Sequence, residues 1–238
     1  MSKQPSAVVI GIGPGLGAAL ARRFARGGYA VGLMARGADK LEPVEREIRE
    51  AGGRAVGVPA DASNPRSLAE AFARIRGEIG KPEVLVYNAG AFQMGGLLEL
   101  EPAVFEQCWK VNCAGALYAA QQVLPDMVAA GRGSVLFTGA TAARRGGARF
   151  AALAVGKFGL RALAQSMARE FGAQGVHVAH VVIDGQIDSP RVRGMLPNRA
   201  TETFLAPDDI AETYWQLHQQ KPSAWTLELD LRPNVEKF

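Results

Sequence analysis

Cysteine is almost absent: Cys108 and Cys113 are the only two in 238 residues. They fall five positions apart in one predicted helix, which excludes a secreted disulfide framework or a set of zinc ligands and leaves two free thiols. Histidine is as scarce, with three, and aromatic residues make up 7% of the chain. His177 and His180 share one apolar run at an odd spacing, so they point to opposite faces of a strand and read as structural. No apolar run approaches the roughly 20 residues of a membrane-spanning helix, and the opening Met-Ser-Lys-Gln-Pro-Ser shows no export leader. The expectation is a cytoplasmic protein with no membrane partner. Charge is not strongly one-sided either. The net +4 comes from dispersed basic residues, densest at Arg144, Arg145 and Arg149. That pattern argues against a nucleic-acid partner and for a solvated surface, with a few arginines free for an anionic small ligand.

What the chain does have is glycine at particular places. The run Ile10-Gly11-Ile12-Gly13-Pro14-Gly15-Leu16-Gly17 follows an apolar strand at 7–10 and opens a helix-like segment at 18–26. Gly11 lets the chain leave the strand sharply, Gly15 lets backbone N–H groups approach a pyrophosphate, and Gly17 permits close helix–strand contact. With Leu16 among them, these residues form a candidate phosphate-binding turn at a helix N-terminus. Further strands are expected at 30–34, 55–59, 83–87, 134–138 and 175–183, and a last one at 224–229. Helical patterns lie at 39–51, 65–78, 102–130, 149–171 and 207–220. Strand and helix alternate, and no repeat or low-complexity linker interrupts them. This predicts an α/β fold: a single doubly wound domain over 1–238, with a predominantly parallel central sheet and helices on both faces. Ligands belong at the C-terminal ends of its strands. The less regular stretch 189–205, with two prolines, is a candidate substrate lid.

The second strand ends at Arg36, where a dinucleotide-binding unit places the residue that meets the adenosine ribose. An acid there would accept from both ribose hydroxyls, whereas a guanidinium pairs with a 2′-phosphate, so NADP is favoured over NAD. Asp61, followed by Ala62, ends the third strand's run; it fits either a contact to the adenine amino group or a helix cap before Pro65. Then come Asn88-Ala89-Gly90, Asn112, Lys157 and Asp184-Gly185-Gln186-Ile187-Asp188-Ser189. With these, the chain resembles the short-chain dehydrogenase/reductase family over essentially its whole length. The resemblance implies a Rossmann-like NAD(P)-binding domain. It implies that Asn88, Ala89 and Gly90 line the cofactor cleft, that Gly185, Ile187 and Ser189 approach the nicotinamide, and that Asn112 and Lys157 serve catalysis, Lys157 also touching the cofactor. It further implies a homo-oligomer, dimer or tetramer, formed through the alanine- and glycine-rich helices at 102–130 and 149–171.

Two of the family's usual four catalytic residues are missing. Leu153 stands four residues before Lys157, where the tyrosine is expected, and Ala140 stands where the serine orients the substrate oxygen. Asp184 also replaces the usual proline. Loss of the phenolic proton donor removes roughly 10²- to 10⁴-fold of rate. The expected activity is therefore NADP-dependent oxidation or reduction of a small carbonyl or alcohol by an atypical proton route, or else silent cofactor binding. Thr138 and Thr141 flank Ala140 without a settled direction, Tyr87 reads as a packed ring, and Arg144 with Arg145 form a candidate anion contact.

Overall fold

The computed structural model describes residues 4–236; the first half of the segment in which a leader was sought, Met1 to Lys3, lies outside them. The strands are β1 (Ser6–Ile10), β2 (Ala30–Ala35), β3 (Ala55–Pro59), β4 (Val84–Tyr87), β5 (Gly133–Thr138), β6 (Val176–Ile183), β7 (Gln186–Ile187), β8 (Phe204–Leu205) and β9 (Glu228–Leu231). The helices are α1 (Leu16–Arg26), α2 (Leu41–Glu50), α3 (Pro65–Ile79), α4 (Pro102–Trp109), α5 (Gly115–Ala130), α6 (Ala151–Phe171), α7 (Pro190–Met195) and α8 (Pro207–His218). Seven strands form one sheet in the order β3-β2-β1-β4-β5-β6-β9, and β7 with β8 forms a separate pair. Every strand pairing is parallel. The order reverses between β1 and β4, and that reversal opens a crevice at the strand C-termini.

Strands buried on both faces read as near-continuous apolar runs, because helices cover each side of a parallel sheet. In β1, Val8 and Ile10 pack with Leu68 and Phe72 of α3, while Ala7 and Val9 pack with Leu20 and Phe24 of α1. The same alternation carries α5 and α6 on the first face and α2 and α8 on the second. Among the described residues no helix is long and apolar enough to cross a membrane.

Four expectations need correction. The helix expected over 102–130 is broken by a π-helical turn at Lys110–Ala114. The helix expected from Arg149 starts at Ala151, because Arg149 adopts a left-handed φ of 68° while its carbonyl accepts the Gly95 amide at 3.0 Å. The final strand is shifted to Glu228–Leu231; Trp225 instead stacks on the His177 ring, with centroids 4.9 Å apart and planes 3° apart. Finally, 189–205 is not a plain loop: it holds α7, a 3₁₀ turn and β8, which pairs with β7 just before it.

Candidate functional site

The glycine turn is set by backbone geometry. Gly11 has φ +97°, donates its amide to the Met34 carbonyl at 2.8 Å, and leaves so little room that a Cβ there would lie 2.5 Å from the Ala89 nitrogen. Gly17 presses α1 onto the turn: a Cβ would lie 2.3 Å from the Gly11 carbonyl oxygen. Asn88 Nδ2 donates to that same oxygen at 3.0 Å, so the β1 and β4 ends are laced together. At Gly13 a Cβ would meet nothing within 4 Å, and the turn is open on that side.

Beside it lies a cleft of about 410 Å³ that brings together Gly11, Arg36, Asp61, Ala62, Asn88, Ala89 and Gly90. It also takes in two cations that sequence reasoning missed, Lys40 and Arg191. Lys40 lies four residues past Arg36 on the approach to α2; the only sequence signal was a second base soon after the strand. Neither Arg36 nor Lys40 has a side-chain partner among the described residues. Asp61 accepts from the Ser63 amide and hydroxyl at 2.9 and 2.8 Å, and it does not cap α3. That role belongs to Asn64, whose Oδ1 accepts from the Arg66 and Ser67 amides at 2.9 and 3.2 Å. An open glycine turn, three lining cations and a single lining acid suit an anionic dinucleotide, so the residues present fit NADP.

Gly15, Leu16 and Gly17 are not part of this lining, and Leu16, the first residue of α1, is buried. Gly185, Ile187 and Ser189 are not part of this lining either: the first two lead into the segment 189–205 and Ser189 opens it. Ile187 pairs with Leu205, while Ser189 Oγ accepts the Val192 amide at 3.3 Å and caps α7.

Lys157 is 5% exposed, and its Nζ donates to the Thr138 carbonyl at 2.7 Å. Burial pushes its pKa down to about 8, since removal from water disfavours the ammonium. Asn112, in the π-helical turn, is fully buried; its Nδ2 donates to the carbonyls of Ala91 and Cys108 at 2.7 and 2.9 Å, and its Oδ1 accepts the Ala91 amide at 3.3 Å. Its side chain braces the loop after β4.

The hydroxyls of Thr138, Thr141 and Tyr87, the candidates the sequence offered in place of the missing serine and tyrosine, are each engaged elsewhere. Thr138 points to the α8 side and accepts from the Tyr214 hydroxyl at 2.8 Å. Thr141 donates to Asp184, and the buried Tyr87 hydroxyl donates to the Val111 carbonyl at 2.6 Å. Under the β5 end, His180 Nδ1 lies 3.0 Å from Glu228, which also holds Arg161 through two contacts of 2.7 Å. Burial holds His180 below its ordinary pKa range against the pull of Glu228.

A second cavity, of about 470 Å³, opens at the ends of β5, β6 and β9 next to Ala140. Arg144 there is not free: it pairs with Asp230, which also takes Arg232 at 3.0 Å. Arg145 lines the same cavity, exposed and without a partner among the described residues.

Comparison with known proteins agrees with this geometry. The model of the short chain dehydrogenase family matches residues 5–199. A cis-4-hydroxycyclohexanecarboxylate dehydrogenase of Sinomonas cyclohexanicum is 34% identical over 87% of this chain and 86% of its own. Among solved structures, a short-chain dehydrogenase from Rhodopseudomonas palustris is 39% identical, with a TM-score of 0.81 over 95% of this chain and 98% of its own. A metagenomic short-chain oxidoreductase in complex with NADP is 31% identical, with a TM-score of 0.85 over 98% of this chain and 99% of its own. Sheet order, glycine turn, crevice and matched sequence agree, and the chain belongs to the short-chain dehydrogenase/reductase family of oxidoreductases.

Proposed function

We propose that the protein is an NADP-dependent oxidoreductase that acts on a small carbonyl or alcohol by an atypical proton route. The observation that carries the cofactor choice is Arg36 at the end of β2, with Lys40 beside it in the same cleft lining and no acid at that position. A guanidinium and an ammonium match a 2′-phosphate dianion and leave the diol of NAD without an acceptor. When bound, NADP(H) supplies or accepts the hydride. The chain's part is to hold it: the glycine turn offers backbone amides, Asn88 fixes the turn to β4, and Lys157 presents its ammonium under the β5 end.

With Leu153 and Ala140 unable to carry a proton, the atypical route begins at Lys157 Nζ. Its depressed pKa of about 8 lets it take up and release protons near neutrality. We read Arg145 as the anion contact for substrate and the exposed Phe92–Phe150 pair, with ring centroids 5.6 Å apart, as an apolar wall. An alicyclic hydroxy acid, the class named for the Sinomonas relative, combines those two features. The exposed Trp109, Leu117, Val155 and Phe158 on α4, α5 and α6 support a homo-oligomer.

Calorimetric titration tests the cofactor reading: NADPH is expected to bind about 10- to 100-fold more tightly than NADH, and Arg36→Glu to reverse that order. Equal affinities, or an order untouched by Arg36→Glu, would defeat it. Ala140 and Leu153 favour a second reading, a silent NADP-binding sensor or assembly subunit. Turnover of an alicyclic keto acid by the unmodified protein, raised about 10²- to 10⁴-fold by Ala140→Ser with Leu153→Tyr, supports the enzyme. A protein that turns over nothing until both residues are restored supports the silent reading.

A further inference from the structure

The lid carries three arginines, and two of them are already paired. Arg193 grips Asp188 through contacts of 2.7 and 2.9 Å, donates to Thr201 Oγ1 at 3.0 Å, and lies over the Phe204 ring at 4.3 Å. Arg199 donates to Thr203 Oγ1 at 2.9 Å and reaches Glu236 at 3.3 Å. These contacts, with the β7–β8 pairing, make the segment a small folded unit. Arg191 takes no part in them. It is exposed, has no hydrogen bond or ion pair among the described residues, and projects from α7 into the lining of the dinucleotide cleft, which it shares with Gly11, Ile12 and Asn88.

The lid also rests on the glycine turn. A Cβ placed on Gly15 would lie 3.3 Å from the Ser189 Cβ and 3.4 Å from the Asp188 carbonyl oxygen. The base of α7 therefore stands over the point where the turn offers its amides to phosphate, and the next free cation along α7 is Arg191. In the cleft lining, Asp61 is the one acidic residue among those described, and its Oδ1 already accepts from the Ser63 amide and hydroxyl.

We propose that Arg191 pairs with the pyrophosphate of the bound dinucleotide and thereby ties the lid to cofactor binding. This rests on the NADP reading above. Arg36 and Lys40 select the cofactor's 2′-phosphate end, while Arg191, arriving from a different element, senses the diphosphate bridge and holds α7 against the turn. A charge-assisted pair of this kind is worth about 10- to 100-fold in affinity.

The test pairs calorimetry with hydrogen exchange, using NADPH and 2′-AMP as probes; the latter has the 2′-phosphate but no pyrophosphate. Arg191→Gln is expected to weaken NADPH about 10- to 100-fold and leave 2′-AMP unchanged, with Arg191→Lys in between. NADPH is expected to slow amide exchange over 190–200 in the unmodified protein and not in Arg191→Gln, whereas 2′-AMP slows it in neither. Unchanged NADPH affinity in Arg191→Gln, or equal losses for both probes, overturns the Arg191 assignment while the NADP reading stands. Failure of the unmodified protein to bind either probe overturns both.

Discussion

Lys157, where the proposed proton route begins, also bears on stability. A cation that is 5% exposed, with a backbone carbonyl as its hydrogen-bond partner, costs the fold something for its charge. With its pKa pushed from 10.5 to about 8, the native state sheds this proton earlier than the unfolded chain does. Between those values the unfolded state binds more protons, so stability rises with pH through that window, and the cost is fully present below about pH 8. Lys157→Met is therefore expected to stabilise the protein at pH 7 by about 3 kcal/mol, with the gain shrinking as pH rises from 8 to 10.5. Urea unfolding at pH 7 and pH 10 checks this; a gain that does not depend on pH would contradict it. Lys157 was named only through the family resemblance, whereas Gly11 was legible because its turn follows from its place at a strand end. Lys40 and Arg191 were not, because each reaches the cleft only through the folding of a separate element. The hydroxyl of Thr138 shows the same limit in reverse: it is adjacent to Ala140 in sequence yet bonded to Tyr214 on the α8 side.

At the scale of elements, the strands were the readable part, since burial on both faces writes an apolar run directly into the chain. The break between α4 and α5 was not readable: a π-helical turn changes the hydrogen-bond register without any mark in composition. Asn112 occupies this turn and spends its side chain on the Ala91 and Cys108 carbonyls and the Ala91 amide. Gly156 lets α6 approach it closely, since a Cβ there would lie 2.7 Å from the Asn112 Cβ. The turn thus clamps the loop from Asn88 to Phe92, which lines the cofactor cleft. Asn112→Ala removes a hydrogen-bond partner from the half-buried Ala91 carbonyl and amide and from the Cys108 carbonyl, and is expected to cost about 2 to 3 kcal/mol. It should also speed exchange of the Ala91 amide and weaken NADPH. An equal loss of stability without faster exchange at Ala91 would place the effect in helix packing and not in the loop. The shift of the final strand has a comparable cause: Trp225 stacks on His177, so pairing with β6 begins only at Glu228.

Across the whole molecule, the end of the sheet opposite the cleft is joined by a histidine that links three distant segments. His218, at the end of α8, lies 2.6 Å from the Tyr29 hydroxyl just before β2 and 2.8 Å from the Ser134 hydroxyl in β5. Burial first, and then its neighbour His177, push its pKa down to about 4. The unfolded chain takes up this proton near pH 6.5 and the native state only near pH 4, so stability is lost as pH falls through that window. The loss reaches about 2 kcal/mol by pH 5. His177 and His180 are depressed in the same sense, each chiefly by burial, so the three histidines act together against the fold on acidification. His218→Gln keeps a polar group between Tyr29 and Ser134 but cannot gain a charge. It is expected to flatten the fall in unfolding free energy between pH 7 and pH 5 by about 2 kcal/mol, and to leave NADPH affinity at pH 7 unchanged, because His218 lies outside the cleft lining. Urea titrations of the two proteins at both pH values decide the matter. An unaltered slope would mean that acid sensitivity arises elsewhere in the fold, whereas a flattened slope with intact NADPH binding would show that the two ends of the sheet titrate independently.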